Sequence, residues 1–321
     1  MEWHRKKGRK DLPWQGTRDP YRIWLSEVML QQTQVGAVIP YYERFLKRFP
    51  TVQALGAAEE EEVLELWSGL GYYARGRNLH AAAQLIATEG FPKNSSAIEK
   101  LPGVGRSTAA AIAAFAFGER AAILDGNVKR VLARHAGIAG FPGDKKVEAK
   151  LWSLAERRLP AKNIEIYTQA LMDLGATVCT RTPRCDSCPV AKTCVAKKMR
   201  LTHKIPQPRP RKELPVKQAT WFVLLHNREV LLERRPSSGL WGGLWTFPER
   251  EPQAITLSSR RELAPLEHGF THFKLKIKPV LCEALRKPAS VAEPGGMWLD
   301  LEDAIGAAVP APVRALLERI R

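Results

Sequence analysis

Leu101-Pro102-Gly103-Val104-Gly105-Arg106-Ser107-Thr108, an alanine-rich run, and then Ile123-Leu124-Asp125-Gly126-Asn127-Val128 form the stretch from which the fold is read. Pro102 and Gly103 stop one helix, Val104 turns inward, and Gly105 opens the next helix with no side chain over its free backbone amides. A phosphate can approach such amides closely at the positive end of the helix dipole. An ordinary helix-helix turn is the plainer reading of the same string. The following segment, 109–117, is apolar on every side, which predicts burial at the centre of an all-α domain, with Gly118 as its stop. Asp125 falls where another helix, 127–134, should begin. It suits an N-cap, and an N-cap carboxylate can also face a ligand.

With 321 residues the chain is long enough for two domains, each burying its own core. Fifty Lys and Arg against 33 Asp and Glu leave a net charge of +17, which calls for a polyanionic partner. DNA leads, although RNA or anionic lipid would satisfy charge alone. No apolar run approaches a spanning length, and Met1 is followed by Glu2-Trp3-His4-Arg5-Lys6 rather than a signal peptide. A cytoplasmic, nucleoid-associated monomer with no membrane partner is expected. Four of the five cysteines, Cys179, Cys185, Cys188 and Cys194, are separated by five, two and five residues, with Cys282 far away. Such clustering favours a metal over a disulfide framework, and the spacing suits zinc and an iron-sulfur cluster equally.

Asp11-Leu12-Pro13-Trp14 reads as a turn carrying a large aromatic, and Asp19-Pro20-Tyr21 precedes a helix over 22–35 that holds Glu27. The helical neighbours of Glu27 are Ile23, Trp24, Leu30 and Gln31, so exposing the carboxylate would also expose Trp24 or Leu30. Burial is favoured, and a buried carboxyl has a raised pKa. In Trp67-Ser68-Gly69-Leu70-Gly71-Tyr72-Tyr73-Ala74-Arg75-Gly76-Arg77 an aromatic pair stands beside cations, suited equally to a wedge between bases and to a core. The basic run Arg5-Lys6-Lys7-Gly8-Arg9-Lys10 suits either a solvated arm or a phosphate contact. Residues 197–217, rich in proline and basic side chains, read as an extended linker lying along DNA or solvent. Beyond Thr220 the pattern changes to strands, 221–226 and 229–233, joined at Asn227-Arg228 as a hairpin. His268-Gly269-Phe270-Thr271-His272-Phe273 alternates as a further strand would.

Ser26-Glu27-Val28-Met29-Leu30-Gln31-Gln32-Thr33-Gln34, taken with the Pro102-Gly103-Val104-Gly105 turn and the cysteine cluster, resembles the MutY family of adenine DNA glycosylases. That family lies in the helix-hairpin-helix DNA glycosylase superfamily with endonuclease III. Arg234-Arg235-Pro236-Ser237-Ser238-Gly239-Leu240-Trp241-Gly242-Gly243-Leu244-Trp245-Thr246-Phe247-Pro248 resembles the family's MutT-like, Nudix-related C-terminal domain. The resemblance implies an all-α helix-hairpin-helix glycosylase domain over 1–195, a linker over 196–216 and an α+β Nudix-like domain over 217–321. Within the first, 22–129 would be a six-helix barrel, while 1–21 and 130–195 would form the iron-sulfur module.

What the resemblance implies about function is monofunctional hydrolysis of the N-glycosidic bond of adenine opposite 8-oxoguanine or guanine in double-stranded DNA. Glu27 would protonate the adenine, and Asp125, ionised at a helix N-terminus, would stabilise the sugar cation. Leu12, Trp14, Val35 and Gln169 match the pocket for the flipped base, and Leu30, Gln32, Thr33 and Tyr72 match positions at the DNA surface. Gly103, Gly105, Ser107 and Asn127 belong to the DNA-facing hairpin and helix start. Phe270, Thr271 and His272 match the loop that reads the oxidised guanine. Cys179, Cys185, Cys188 and Cys194 would hold one 4Fe-4S cluster, although the family's first cysteine gap is usually one residue longer. The C-terminal domain lacks the Nudix glutamate string, only Arg261-Glu262-Leu263 echoing it, so nucleotide hydrolysis is not expected. Two alternatives use the same residues. An endonuclease III-like glycosylase and AP lyase is opposed by Glu27, the C-terminal domain and the serine at 107. A non-enzymatic iron-sulfur DNA-binding protein leaves the pairing of Glu27 with Asp125 unexplained.

Overall fold

The computed structural model describes residues 1–210, 213–251, 255–286 and 295–321. It divides into two compact units, one of Met1–Ala57 with Asn78–Arg211 and one of Ala58–Arg77 with Lys212–Arg321. Segment 58–77, inside the stretch expected to form the helical barrel, therefore belongs to the unit that holds the sheet. In chain order the helices are α1 (Glu2–Lys7), α2 (Pro20–Met29), α3 (Val35–Arg48), α4 (Val52–Gly56), α5 (Glu60–Trp67), α6 (Ala74–Glu89), α7 (Ser95–Ile98), α8 (Arg106–Phe117), α9 (Gly126–Ala136), α10 (Lys145–Arg157), α11 (Ile164–Asp173) and α12 (Val195–Lys198). Among the described residues no helix is long and apolar enough to cross a membrane.

The single helix expected over 22–35 is broken. Asp19 caps α2 by accepting from Tyr21 N at 2.9 Å, and Pro20 occupies its first turn. The helix closes at Leu30, whose N–H donates to Ser26 O, and Gln32 takes a left-handed φ of 58° that no helix can continue. Gln34 then starts α3, so Gln32 and Thr33 sit on a loop instead of a helix face. Trp24, Leu25, Val28 and Met29 bury the rest of α2, at about 1.5–3 kcal/mol for each large side chain.

Helix α8 is the buried centre that its composition predicts. Ala109 through Ala114 are inaccessible or nearly so, and their small side chains let α2 and α8 pack closely. Gly118 ends it at φ 70°, with Gly118 N donating to Ala114 O and Glu119 N to Ala113 O, as a left-handed helix stop requires. The expected extended linker is only partly so. Ala196 and Ile205 are buried against Ile123, Val128 and Leu132, and Gln207 N donates to Gly140 O, so apolar side chains there draw the chain onto the helical unit. Residues 211–212 of that stretch lie outside the described ones.

The second unit is built on a mixed sheet of β1 (Val216–His226), β2 (Glu229–Arg234), β3 (Trp245–Thr246), β4 (Leu257–Glu262), β5 (Leu266–Gly269), β6 (Lys274–Ala284) and β7 (Gly296–Asp300). Its main order is β3-β2-β1-β6-β4, with β5 on β6 and β7 on β2. The hairpin forms as expected, with His226 opposite Glu229 and Asn227 at φ 55°. β1 runs parallel to β6, and its side chains alternate between two cores. Trp221 and Val223 join Phe247, Ile277 and Leu64 of α5, while Phe222 and Leu224 join Val280 and Cys282. Helices α13 (Leu301–Gly306) and α14 (Ala311–Ile320) cover the first core. Arg261 and Glu262, the echo of the Nudix string, lie on strand β4 and not on a helix.

Candidate active site

Glu27 opens onto a cavity of about 490 Å³ in the helical unit. Helix α2 contributes Ile23, Ser26, Glu27 and Leu30, the N-terminal segment contributes Arg9, Leu12 and Trp14, α11 contributes Glu165 and Gln169, and Val35 and Phe115 complete the apolar part. Trp14 is held edge-on to Tyr42 at 5.4 Å between centroids. Burial among these groups, with the nearby charge of Asp125, pushes the Glu27 carboxyl up to about 8. At pH 7 the neutral acid is therefore favoured about tenfold.

Asp125 is the N-cap of α9. Its Oδ1 accepts from Val128 N at 2.7 Å, and Asn127 Nδ2 approaches Oδ2 at 3.5 Å. The helix terminus is one of several influences on the Asp125 carboxylate. Burial raises its pKa, opposed by the Val128 N–H, the Arg130 charge and Asn127. It is not among the residues lining the cavity, and it acts on Glu27 through its charge. Arg130 ties this corner together, donating to Asn127 Oδ1 and Gly175 O at 2.8 Å and to Cys179 O at 2.6 Å. Gly175, in a π-helical turn over Leu174–Val178, must be a glycine because a Cβ there would lie 2.6 Å from Asn127 Cβ.

In the hairpin, Gly103 has φ +74° and would set a Cβ 2.7 Å from Asn78 Cβ. Val104 is buried, and Gly105 caps α8 with no side chain over its first-turn amides. Gln31 reaches across from the α2–α3 loop to Gly103 O at 3.4 Å, bringing Gln32 and Thr33 onto the hairpin side. Ser107 is not idle. Its hydroxyl accepts from Leu124 N at 2.8 Å, fixing the residue before Asp125.

Cys179, Cys185, Cys188 and Cys194 line one small cavity and none forms a disulfide. Burial and the neighbouring thiols push Cys185 and Cys188 up. Buried Arg134 holds the surrounding loop, donating to Thr180 O at 2.6 Å, Ile205 O at 2.8 Å and Arg181 O at 3.1 Å, and to Cys179 Sγ at 3.4 Å. In the second unit, Tyr72 is 50% exposed at φ 50°, whereas Tyr73 is half-buried and donates to Val309 O. The strand expected over 268–273 ends at Gly269. Phe270 N donates to Phe273 O and the two rings stack at 4.5 Å, so a tight turn presents Thr271 and His272 to solvent.

Residues 25–157 match the family model described as HhH-GPD superfamily base excision DNA repair protein, and residues 220–319 match that of the NUDIX domain. The adenine DNA glycosylase of Buchnera aphidicola subsp. Schizaphis graminum is 36% identical over 99% of this chain and 96% of its own length. The chain belongs to the adenine DNA glycosylase family. Its human relative, also an adenine DNA glycosylase, is 32% identical over 98% of this chain and 72% of its own length. A solved thermostable thymine-DNA glycosylase superposes with a TM-score of 0.55 at 30% identity, covering 62% of this chain and 93% of its own. As a member of the adenine DNA glycosylase family, the chain is a DNA N-glycosylase of base excision repair.

Sequence reasoning brought Leu12, Trp14, Glu27, Val35 and Gln169 to the same cavity, but it assigned Leu30, which also lines it, to the DNA surface, and it missed Arg9 and Glu165 there and the wholly buried Asp173 behind Gln169. The spacing of Gln169 and Asp173, one helical turn apart, was the available signal.

Proposed function

We propose that this glycosylase hydrolyses the N-glycosidic bond of adenine opposite 8-oxoguanine, and opposite guanine, leaving an intact abasic site. The observation that carries the reading is Glu27, a carboxyl protonated at neutral pH on the wall of a cavity large enough for a small ligand. Adenine is a poor leaving group until protonated. Glu27 gives its proton to a ring nitrogen of the flipped base as the bond to the sugar breaks, and Asp125 balances the charge of the resulting oxocarbenium ion. Water then adds to the sugar carbon and returns a proton to Glu27. Leu12, Trp14, Val35 and Gln169 hold the base, while Gly103 and Gly105 offer amides to a phosphate. Leu30, Gln32, Thr33 and Tyr72 meet the opened duplex, Asn127 steadies Asp125, and Phe270, Thr271 and His272 read the base opposite.

The four clustered thiols suit one 4Fe-4S cluster. Cys179, Cys185, Cys188 and Cys194 line one small cavity together with Arg134 and Lys197. Four thiolates suit zinc as well, and the match of this cysteine string to that of the adenine DNA glycosylase family is what supports a cluster. Cys179, Cys185, Cys188 and Cys194 would hold it, and it would supply a rigid cross-link and one-electron chemistry. Acting on chromosomal DNA, the enzyme would work at the nucleoid as a monomer.

Single-turnover assays on duplexes with adenine opposite 8-oxoguanine, guanine or thymine test the reading. Fastest release of adenine opposite 8-oxoguanine is expected, with strand breaks only after alkali. Equal rates on all three duplexes, or breaks without alkali at the rate of base release, would overturn it.

A further inference from the structure

Asp173, at the end of α11, is completely buried and carries more contacts than a helix terminus needs. Its Oδ1 accepts from Arg9 Nε at 2.8 Å and from Gln169 Nε2 at 3.0 Å, and lies 2.7 Å from Arg9 Nη2. Its Oδ2 accepts from Arg9 N at 3.0 Å and faces His4 Nδ1 at 3.2 Å. Ion-paired with Arg9, this carboxylate can only accept hydrogen bonds. The Gln169 amide therefore cannot turn over. Its NH2 end must face Asp173, which leaves the carbonyl Oε1 for the cavity that Gln169 lines. No hydrogen bond from a described residue to that oxygen is present.

We propose that Asp173 is a positioning residue that selects the exocyclic group of the excised purine. By locking the polarity of the Gln169 amide, it keeps the carbonyl oxygen, an acceptor, on the side of the pocket. An amino-bearing base, with N–H groups at its six-position, satisfies Oε1. A six-keto purine brings a second acceptor to the same point and leaves two lone pairs opposed in a partly desolvated space. Glu27 is a general acid for either base, so without the Asp173–Gln169 pair the pocket would have a weaker basis for discrimination. The inference rests on the reading of this cavity as the base pocket. Arg9, which holds Asp173 from the N-terminal segment, joins that segment to specificity through the same carboxylate.

The test uses the full chain and duplexes with adenine, hypoxanthine or unsubstituted purine opposite 8-oxoguanine, in single-turnover assays. Asp173→Asn, whose amide can accept or donate, frees Gln169 to turn. It should lower the adenine-to-hypoxanthine rate ratio about tenfold or more, with the hypoxanthine-to-purine ratio rising because the freed amide no longer opposes the keto oxygen. Gln169→Leu removes the acceptor without touching the Arg9 pair and should lower the adenine ratio similarly, which preserves the test if Asp173→Asn fails to fold. Loss of all three rates in proportion, in both variants, would mean a structural role only and overturn the proposal. An unchanged adenine-to-hypoxanthine ratio in both would do the same. Wild-type protein that excises no adenine would instead overturn the pocket assignment, and this inference with it.

Discussion

Replacing Glu27 by glutamine keeps the size of the side chain and removes its ionisation, so its effect on stability is set by pH. In the folded chain Glu27 holds its proton up to about 8, against an ordinary value of 4.5. Between those values the folded state binds a proton that the unfolded chain has released, and wild-type stability falls as pH rises by about 1.4 kcal/mol per pH unit. Over the whole interval this amounts to about 5 kcal/mol. Glu27 keeps part of its surface open to the cavity, where water screens the charge, so about 2–5 kcal/mol is the expected total. Glu27→Gln escapes this loss. The variant should match wild type near pH 4.5, gain on it through the window, and hold a constant lead above pH 8. Urea unfolding followed by circular dichroism at pH 5, 7 and 9 measures the gap. In the same preparations, excision by the variant at pH 7 should fall about a hundred- to ten-thousand-fold, and wild-type excision should decline as pH rises through about 8. A stability gap independent of pH, or excision by the variant within tenfold of wild type, would refute the reasoning.

Asp125→Asn should fold normally, since asparagine caps helices as well as aspartate, yet lose at least about a hundredfold in single-turnover excision. Ser107→Lys should gain strand cleavage without alkali on product gels, because an amine can form the imine that a hydroxyl cannot. The same change should destabilise the chain by about 1–3 kcal/mol in urea melts, since buried Leu124 loses the acceptor for its N–H. Lys129, held by Glu148 at 2.5 Å, should not substitute for that amine in the wild type. Phe270→Ala, which removes the ring stacked on Phe273, should reduce the preference for adenine opposite 8-oxoguanine over guanine about tenfold in competition assays. Metal analysis of protein purified without oxygen should find about four irons per chain, and stoichiometric zinc in iron-replete preparations would contradict the cluster.

Much of the fold follows from local chemistry and is legible without coordinates. The all-apolar run of α8, the left-handed stop at Gly118, the Asp125 cap and the turn at Asn227 depend on residues within a few positions of one another. Burial of Glu27 was likewise readable, because the helical period puts Ile23, Trp24 and Leu30 around it whichever way α2 is packed. The break in the helix after Met29 was not. Nothing in the composition of Leu30-Gln31-Gln32-Thr33 forbids a helix, and the left-handed turn at Gln32 stands where Gln31 reaches the hairpin 72 residues away.

Contacts distant in sequence decided the rest. The sequence by itself determined the residue types of the site, the order of the motifs and the amphipathic faces, because these are carried by spacing of 2, 3 or 4 residues. Only the tertiary structure could place α5 in the core with Trp221, draw 196–207 onto the helical unit, or bring Arg9 to Asp173 across 164 positions. The direction of the Glu27 shift was readable from its apolar helical neighbours, but its extent was not. A pKa depends on every group that excludes water or carries charge nearby, and the groups around Glu27 come from α2, α8, α11 and the N-terminal segment, which no local pattern connects.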